Sequence, residues 1–150
     1  MAWHAAAMEP RELALWHARG RQLVGAAFVL APGLVGSAWI GSDARRRPVK
    51  VLARAFAARD LAIGLGVVIA LDRGAPVRGW LEAGALSDAI DTAATVLAGN
   101  SIPPAIRWPC VAVGVGSAAL GAMLAPQLDE PAPIPGETPE SVLTHHPAQR

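Results

Sequence analysis

"AARDLAIGLGVVIAL" (57–71) puts an arginine and an aspartate, Arg59 and Asp60, at the head of an apolar run otherwise suited to lipid. It is the larger part of a segment from Val51 to Leu71, long enough for a helix that needs about 20 residues to cross a bilayer. If this segment spans, its charges lie inside the membrane and must find partners there. If it does not, the chain is two outer helices flanking a soluble amphipathic hairpin. The fold turns on that choice.

Two charge-free apolar runs stand on either side, "QLVGAAFVLAPGLVGSAWIGS" from Gln22 to Ser42 and "WPCVAVGVGSAALGAMLAPQL" from Trp108 to Leu128. A fourth segment, Trp80 to Ala98, is also long enough but carries Glu82, Asp88 and Asp91. Hydropathy leaves this one and 51–71 ambiguous. The connections favour four spans. "GSDARRRPVK" (41–50), "DRGAPVRG" (72–79) and "GNSIPPAIR" (99–107) are charged or rich in glycine and proline, as turns between helices are. Trp16, Trp39, Trp80 and Trp108 stand near proposed helix ends, where an amphipathic ring suits the membrane interface.

Composition agrees. Hydrophobic residues make up 53% of the 150 and charged residues 17%, against the ~25% usual for soluble domains. A net charge of +1 with no long basic helix argues against a nucleic-acid partner. The lone Cys110 has no partner for a disulfide or C-x-x-C site and reads as a packing residue. Glu9, Pro10 and Glu12 precede a first apolar run too long for a signal-peptide core, so a retained segment is expected.

The expected organisation is therefore all-α, a polytopic membrane protein built as a four-transmembrane-helix bundle. Residues 1–20 form an amphipathic lead-in, 21–126 hold helices near 22–42, 51–71, 80–98 and 106–126, and the proline-rich 127–150 is a disordered tail. Pro32-Gly33 should kink the first helix. Arginine and lysine are split almost evenly between the two sides, so the positive-inside rule does not decide orientation. Cytoplasmic termini, in a bacterial inner or plasma membrane, are the default.

The charges can be placed against one another. With the second and third helices antiparallel about the 72–79 hairpin, Arg59 lies 12 residues from its end and Asp91 lies 11 from the other. At 1.5 Å per residue the two share a depth, with Asp60 in the same layer and Asp88 about one turn nearer the hairpin. Gly84, Asp88, Asp91 and Thr95 follow i, i+4, i+7, i+11, one helix face. Arg59 is then the counter-ion for Asp91, or bridges Asp91 and Asp88. The cluster reads first as structural, holding two helices in register. A second reading lets Arg59 snorkel to water. A third notes that three acids to one arginine leave a carboxyl free to relay a proton or bind a cationic substrate.

Small residues suit close packing. Gly64 and Gly84 lie in the second and third helices, and Gly114/Ala118 and Ser117/Gly121 give the fourth a small-xxx-small spacing. No metal spacing joins His4, His17, His145 and His146, and no serine stands in a nucleophile elbow. No cofactor or metal is expected. The lipid bilayer is the expected surrounding, with a second copy or another membrane protein as partner.

"ARDLAIGLG" (58–66) followed by "GALSDAID" (84–91) resembles a family of small bacterial and fungal integral membrane proteins, a domain of unknown function. The resemblance covers about residues 20–125. It implies four membrane helices and no assigned activity. The expected function is a non-enzymatic scaffold, accessory or assembly subunit. The alternatives are a proton-coupled carrier using Asp88 and Asp91, and an enzyme acting on a lipophilic substrate within the membrane.

Overall fold

A computed structural model describes residues 8–128, all of whose regular structure is helical. Pro10 starts α1 (Pro10–Leu30), where its missing N–H costs nothing, and Glu12 sits in the positive first turn. The helix stops at Ala31 because the following Pro32 disfavours the α conformation there; Ala31 takes φ −132°, ψ 56°. The chain then bends by 110° into two single-turn helices, α2 (Pro32–Val35) and α3 (Ser37–Ile40), and a 3₁₀ turn at Gly41–Arg45.

This differs from a single first helix near 22–42. The helix begins twelve residues earlier, so residues 10–20 belong to it, and it ends at the proline rather than passing through it with a kink. An apolar run marks where water is avoided; capping residues and proline decide where the helix begins and ends. Residues 1–7 of the lead-in and 129–150 of the tail lie outside the described residues.

α4 (Arg47–Arg73) closes on Gly74, whose left-handed backbone (φ 62°) allows Ala75 N–H to bond Ala70 O at 2.9 Å and Gly74 N–H to bond Leu71 O at 3.4 Å. α5 (Arg78–Leu97) follows after a short turn, and α6 (Pro104–Leu124) starts again on the double proline. α1 lies antiparallel along α4, and α5 along α6; the two pairs meet through α4 with α5 and α1 with α6.

The seams are narrow because the facing residues are small. Gly64 of α4 lies so close to α1 that a β-carbon there would stand 2.8 Å from Gln22 Cγ and 2.9 Å from Ala18 O. Gly121 of α6 sits against Leu81 O and Ala85 of α5, and Gly66 against the ring of Trp80. An apolar core including Ala14, Val67, Leu71, Val77, Leu81 and Leu124 fills the end nearest the α4–α5 turn.

Pro104–Leu128 is long and apolar enough to cross a membrane, and α1 together with the bent segment passes the same test if the two count as one broken span. Large apolar side chains project outward from every long helix: Leu23 of α1 is 73% exposed, Leu65 of α4 51%, Leu86 of α5 63% and Val113 of α6 73%.

Candidate functional site

The polar side chains gather at mid-height. Asp60 is the central residue of α4, Asp88 lies at the middle of α5, Arg21 at the middle of α1, and Ser117 in the second half of α6. Each lands there because its helix turns one narrow stripe inward. On α5 that stripe is Gly84, Asp88, Asp91 and Thr95; on α1 the buried residues Ala14, Ala18, Arg21 and Gly25 repeat the same spacing.

Arg21 is the hub. Its side chain is only 6% exposed. Nη1 donates to Asp60 Oδ1 at 2.9 Å, and Nη2 donates to Asp88 Oδ2 and, at 3.4 Å, to the carbonyl oxygen of Gly84. One guanidinium thus ties α1 to both α4 and α5. Arg59 forms the second centre: Nη2 donates to Asp91 Oδ2 at 2.5 Å and Nη1 to Asp91 Oδ1 at 3.4 Å, with Asp60 Oδ1 a further 3.5 Å contact. Its guanidinium also lies 5.2 Å from the Phe56 ring centroid. Arg59 Nε is buried without a hydrogen-bond partner among the described residues.

A hydrogen-bonded arm extends to the fourth long helix. Ser117 Oγ donates to Asp88 Oδ2 at 2.6 Å, and His17 Nε2 lies 2.8 Å from the same hydroxyl. Since the serine proton points to the carboxylate, the histidine proton belongs on Nε2; the tautomer is assigned from this geometry. At the other edge Thr95 donates to the backbone oxygen of Asp91 at 2.7 Å and accepts from Trp39 Nε1 at 3.0 Å.

These placements correct parts of the sequence reading. Arg59 does not bridge Asp91 and Asp88; it bridges Asp91 and Asp60, and Asp88 belongs to Arg21. The cluster therefore holds two arginines to three aspartates, and it joins four helices rather than two. Ser117, read as a packing residue, is a polar link. Trp39 turns its indole N–H to Thr95 and lies edge-on to Phe28 at 6.2 Å between ring centroids. Gly84 serves through its carbonyl and through the room it leaves beside Arg21. Gly114 faces Thr92, and Ala118 lines a shallow groove between α5 and α6. Cys110 Sγ approaches Ala38 O at 3.8 Å.

Arg21 and His17 are the residues the sequence reading missed. Both precede the charge-free run and so resemble interfacial charges. Their signal was the face shared with Ala14, Ala18 and Gly25, which becomes visible only once α1 is known to start at Pro10. Among the described residues no group of three or more His, Cys, Asp or Glu side chains is placed to hold a metal ion. Compared with protein-family models, curated proteins and solved structures, the chain matches none.

Proposed function

We propose that the protein is a multi-pass membrane protein, a four-helix bundle organised around its buried ion-pair network and acting without catalysis as a scaffold, accessory or assembly subunit. One observation carries this reading. Charged side chains meet inside at mid-height, while large apolar side chains project outward from all four long helices. A water-soluble helical protein has the opposite pattern. In lipid the pattern is favourable, because charges at mid-bilayer are tolerated when they face the interior and pair. It also explains why hydropathy marks α6 more clearly than α4 or α5, whose inward charges lower the average.

The test is the carbonate-resistant membrane level of wild type, Arg59→Asp, Asp91→Arg and the double exchange. Each single exchange leaves like charges facing across α4 and α5 and should deplete the protein. The double should recover it in part, because the carboxylate introduced at 59 stands beside Asp60. Normal levels of both single variants would remove the pairing from the account of stability.

The third aspartate favours a second reading, a proton-coupled carrier. Two guanidiniums and three carboxylates leave one negative charge in excess, with His17 neutral. Asp88 is faced by Arg21 and His17 from α1, Asp60 from α4 and Ser117 from α6. A proton that reaches His17 can move on without loss of balance: Nε2 gives its proton to Ser117 Oγ as the hydroxyl gives its own to Asp88. This reading requires a pH-dependent thermal shift of the purified protein that disappears in Asp88→Asn. A shift that survives the substitution assigns the titration elsewhere.

A further inference from the structure

The bend between α1 and α4 builds a second site with different chemistry. An open recess of about 480 Å³ lies beneath it, lined by Leu30, Ala31, Pro32, Gly33 and Leu34 on one wall and by Arg45, Lys50 and Arg54 on the other. Two of the three cations have a neighbour that places them. Lys50 lays its stem across Gly33, where a β-carbon would stand 2.9 Å from Lys50 Cε. Arg54 Nε donates to Val29 O at 3.2 Å. Among the described residues none of the three cations has a carboxylate partner.

We propose that this recess binds the phosphate of an anionic phospholipid. The inference rests on the membrane reading above and concerns a site separate from the buried network. Three observations select the ligand. Three cations that line one recess and have no carboxylate partner among the described residues call for an anion with several oxygens, which a phosphate diester supplies. Leu30 and Leu34, on the wall of the same recess, are 82% and 75% exposed, so apolar surface for acyl chains adjoins the cations. A free phosphate ion has no use for that surface. Finally, among the described residues this end of the molecule also carries Arg46, Arg47 and Arg107 against the acid Asp43, whereas the opposite end mixes Arg11, Arg73 and Arg78 with Glu9, Glu12, Asp72 and Glu82. The basic end is the one suited to an anionic leaflet.

The experiment is lipid retention by the purified full-length protein in detergent, titrated with phosphatidylglycerol, phosphatidylcholine or inorganic phosphate and read by native mass spectrometry. The variants are the triple Arg45→Gln/Lys50→Gln/Arg54→Gln and, outside the recess, the double Arg46→Gln/Arg47→Gln. Wild type should retain phosphatidylglycerol over phosphatidylcholine. The triple variant should bind it roughly 100-fold more weakly, from about fivefold for each direct charge-assisted contact to the phosphate that is lost, and the double, whose residues lie outside the recess, should stay near wild type. Equal weakening in both variants would mean that the overall charge of this end attracts lipid, and would overturn the site. Displacement of phosphatidylglycerol by millimolar phosphate would overturn the lipid assignment in favour of a free anion. Carbonate extraction of the same variants reads membrane insertion separately, so loss of the membrane reading is told apart from loss of the lipid site.

Discussion

Arg21 occupies the position where a charge is hardest to accommodate, and it does more than any other side chain to join the helices. Its two terminal nitrogens serve different carboxylates, Asp60 on α4 and Asp88 on α5. The planar guanidinium spans both acids at once; an ammonium is a point charge and reaches one well. Arg21→Met keeps the volume but leaves Asp88 with only the Ser117 hydroxyl and Asp60 with only the 3.5 Å contact of Arg59, and removing one member of a buried pair costs about 3–5 kcal/mol. Unfolding of the purified protein in mild detergent should show a loss of that order for Arg21→Met, an intermediate loss for Arg21→Lys, and partial recovery in Arg21→Met/Asp88→Asn. A loss for Arg21→Met no greater than that of an exposed arginine such as Arg19 would remove the hub role. How far these residues were legible follows from their position. Asp88 and Asp91 announce themselves because they interrupt an apolar segment, and Arg59 can be matched to Asp91 by counting from the hairpin. Arg21 interrupts nothing. It stands at the edge of its run, and only the helical phase it shares with Ala14 and Gly25 separates it from a solvated arginine. His17 was hidden in the same way, and its partner Ser117 lies a hundred residues further along.

At the scale of elements, the helices approach one another where glycine allows it, and the glycines are not equivalent. Gly64 has a neighbouring carbonyl in the space a β-carbon would take, whereas Gly116 has nothing within 4 Å. The same substitution should therefore have opposite signs. Gly116→Ala gains helix propensity of about 0.5–1 kcal/mol. Gly64→Ala must push α1 away from α4 and should lower stability by about 1–3 kcal/mol, as overpacking does elsewhere. Thermal unfolding of the two variants side by side checks this, and a Gly64→Ala protein as stable as wild type would show that the α1–α4 seam yields to a methyl group at no cost. Element order and type were readable from run length, turn chemistry and proline placement. The course of the chain from 31 to 45 was not. Pro32 signals a disturbance, but a kinked continuous helix and a 110° turn share that signal; what separates them here is the seating of Pro32 and Ala44 as buried residues under the bend.

The charges of the network lie inside at mid-height and bulky apolar side chains project outside, with the exposed Arg19 of α1 the exception at that level, and that distribution makes opposite demands on the two possible surroundings. Val113 stands near the middle of α6 and is 73% exposed. In water, a charged residue at such a position costs almost nothing, since surface substitutions away from special features change stability by about 0.5 kcal/mol or less. At mid-bilayer the same charge costs about 2.5–3.5 kcal/mol on insertion scales. Val113→Arg therefore separates the surroundings without touching the network or any helix seam. Leu23→Arg on α1 and Leu65→Arg on α4 put the same question to the two helices whose own charges lower their hydropathy. The expected result is a fall in carbonate-resistant protein for all three, with a smaller effect at Leu97 near the end of α5, where a long side chain can reach the headgroups. Val113→Arg alone failing to insert would leave α6 as the membrane anchor of an otherwise solvated helical hairpin set. All three failing together would place α1 and α4 in lipid with it, and the buried arginines would then owe their burial to the bilayer rather than to a conventional apolar core.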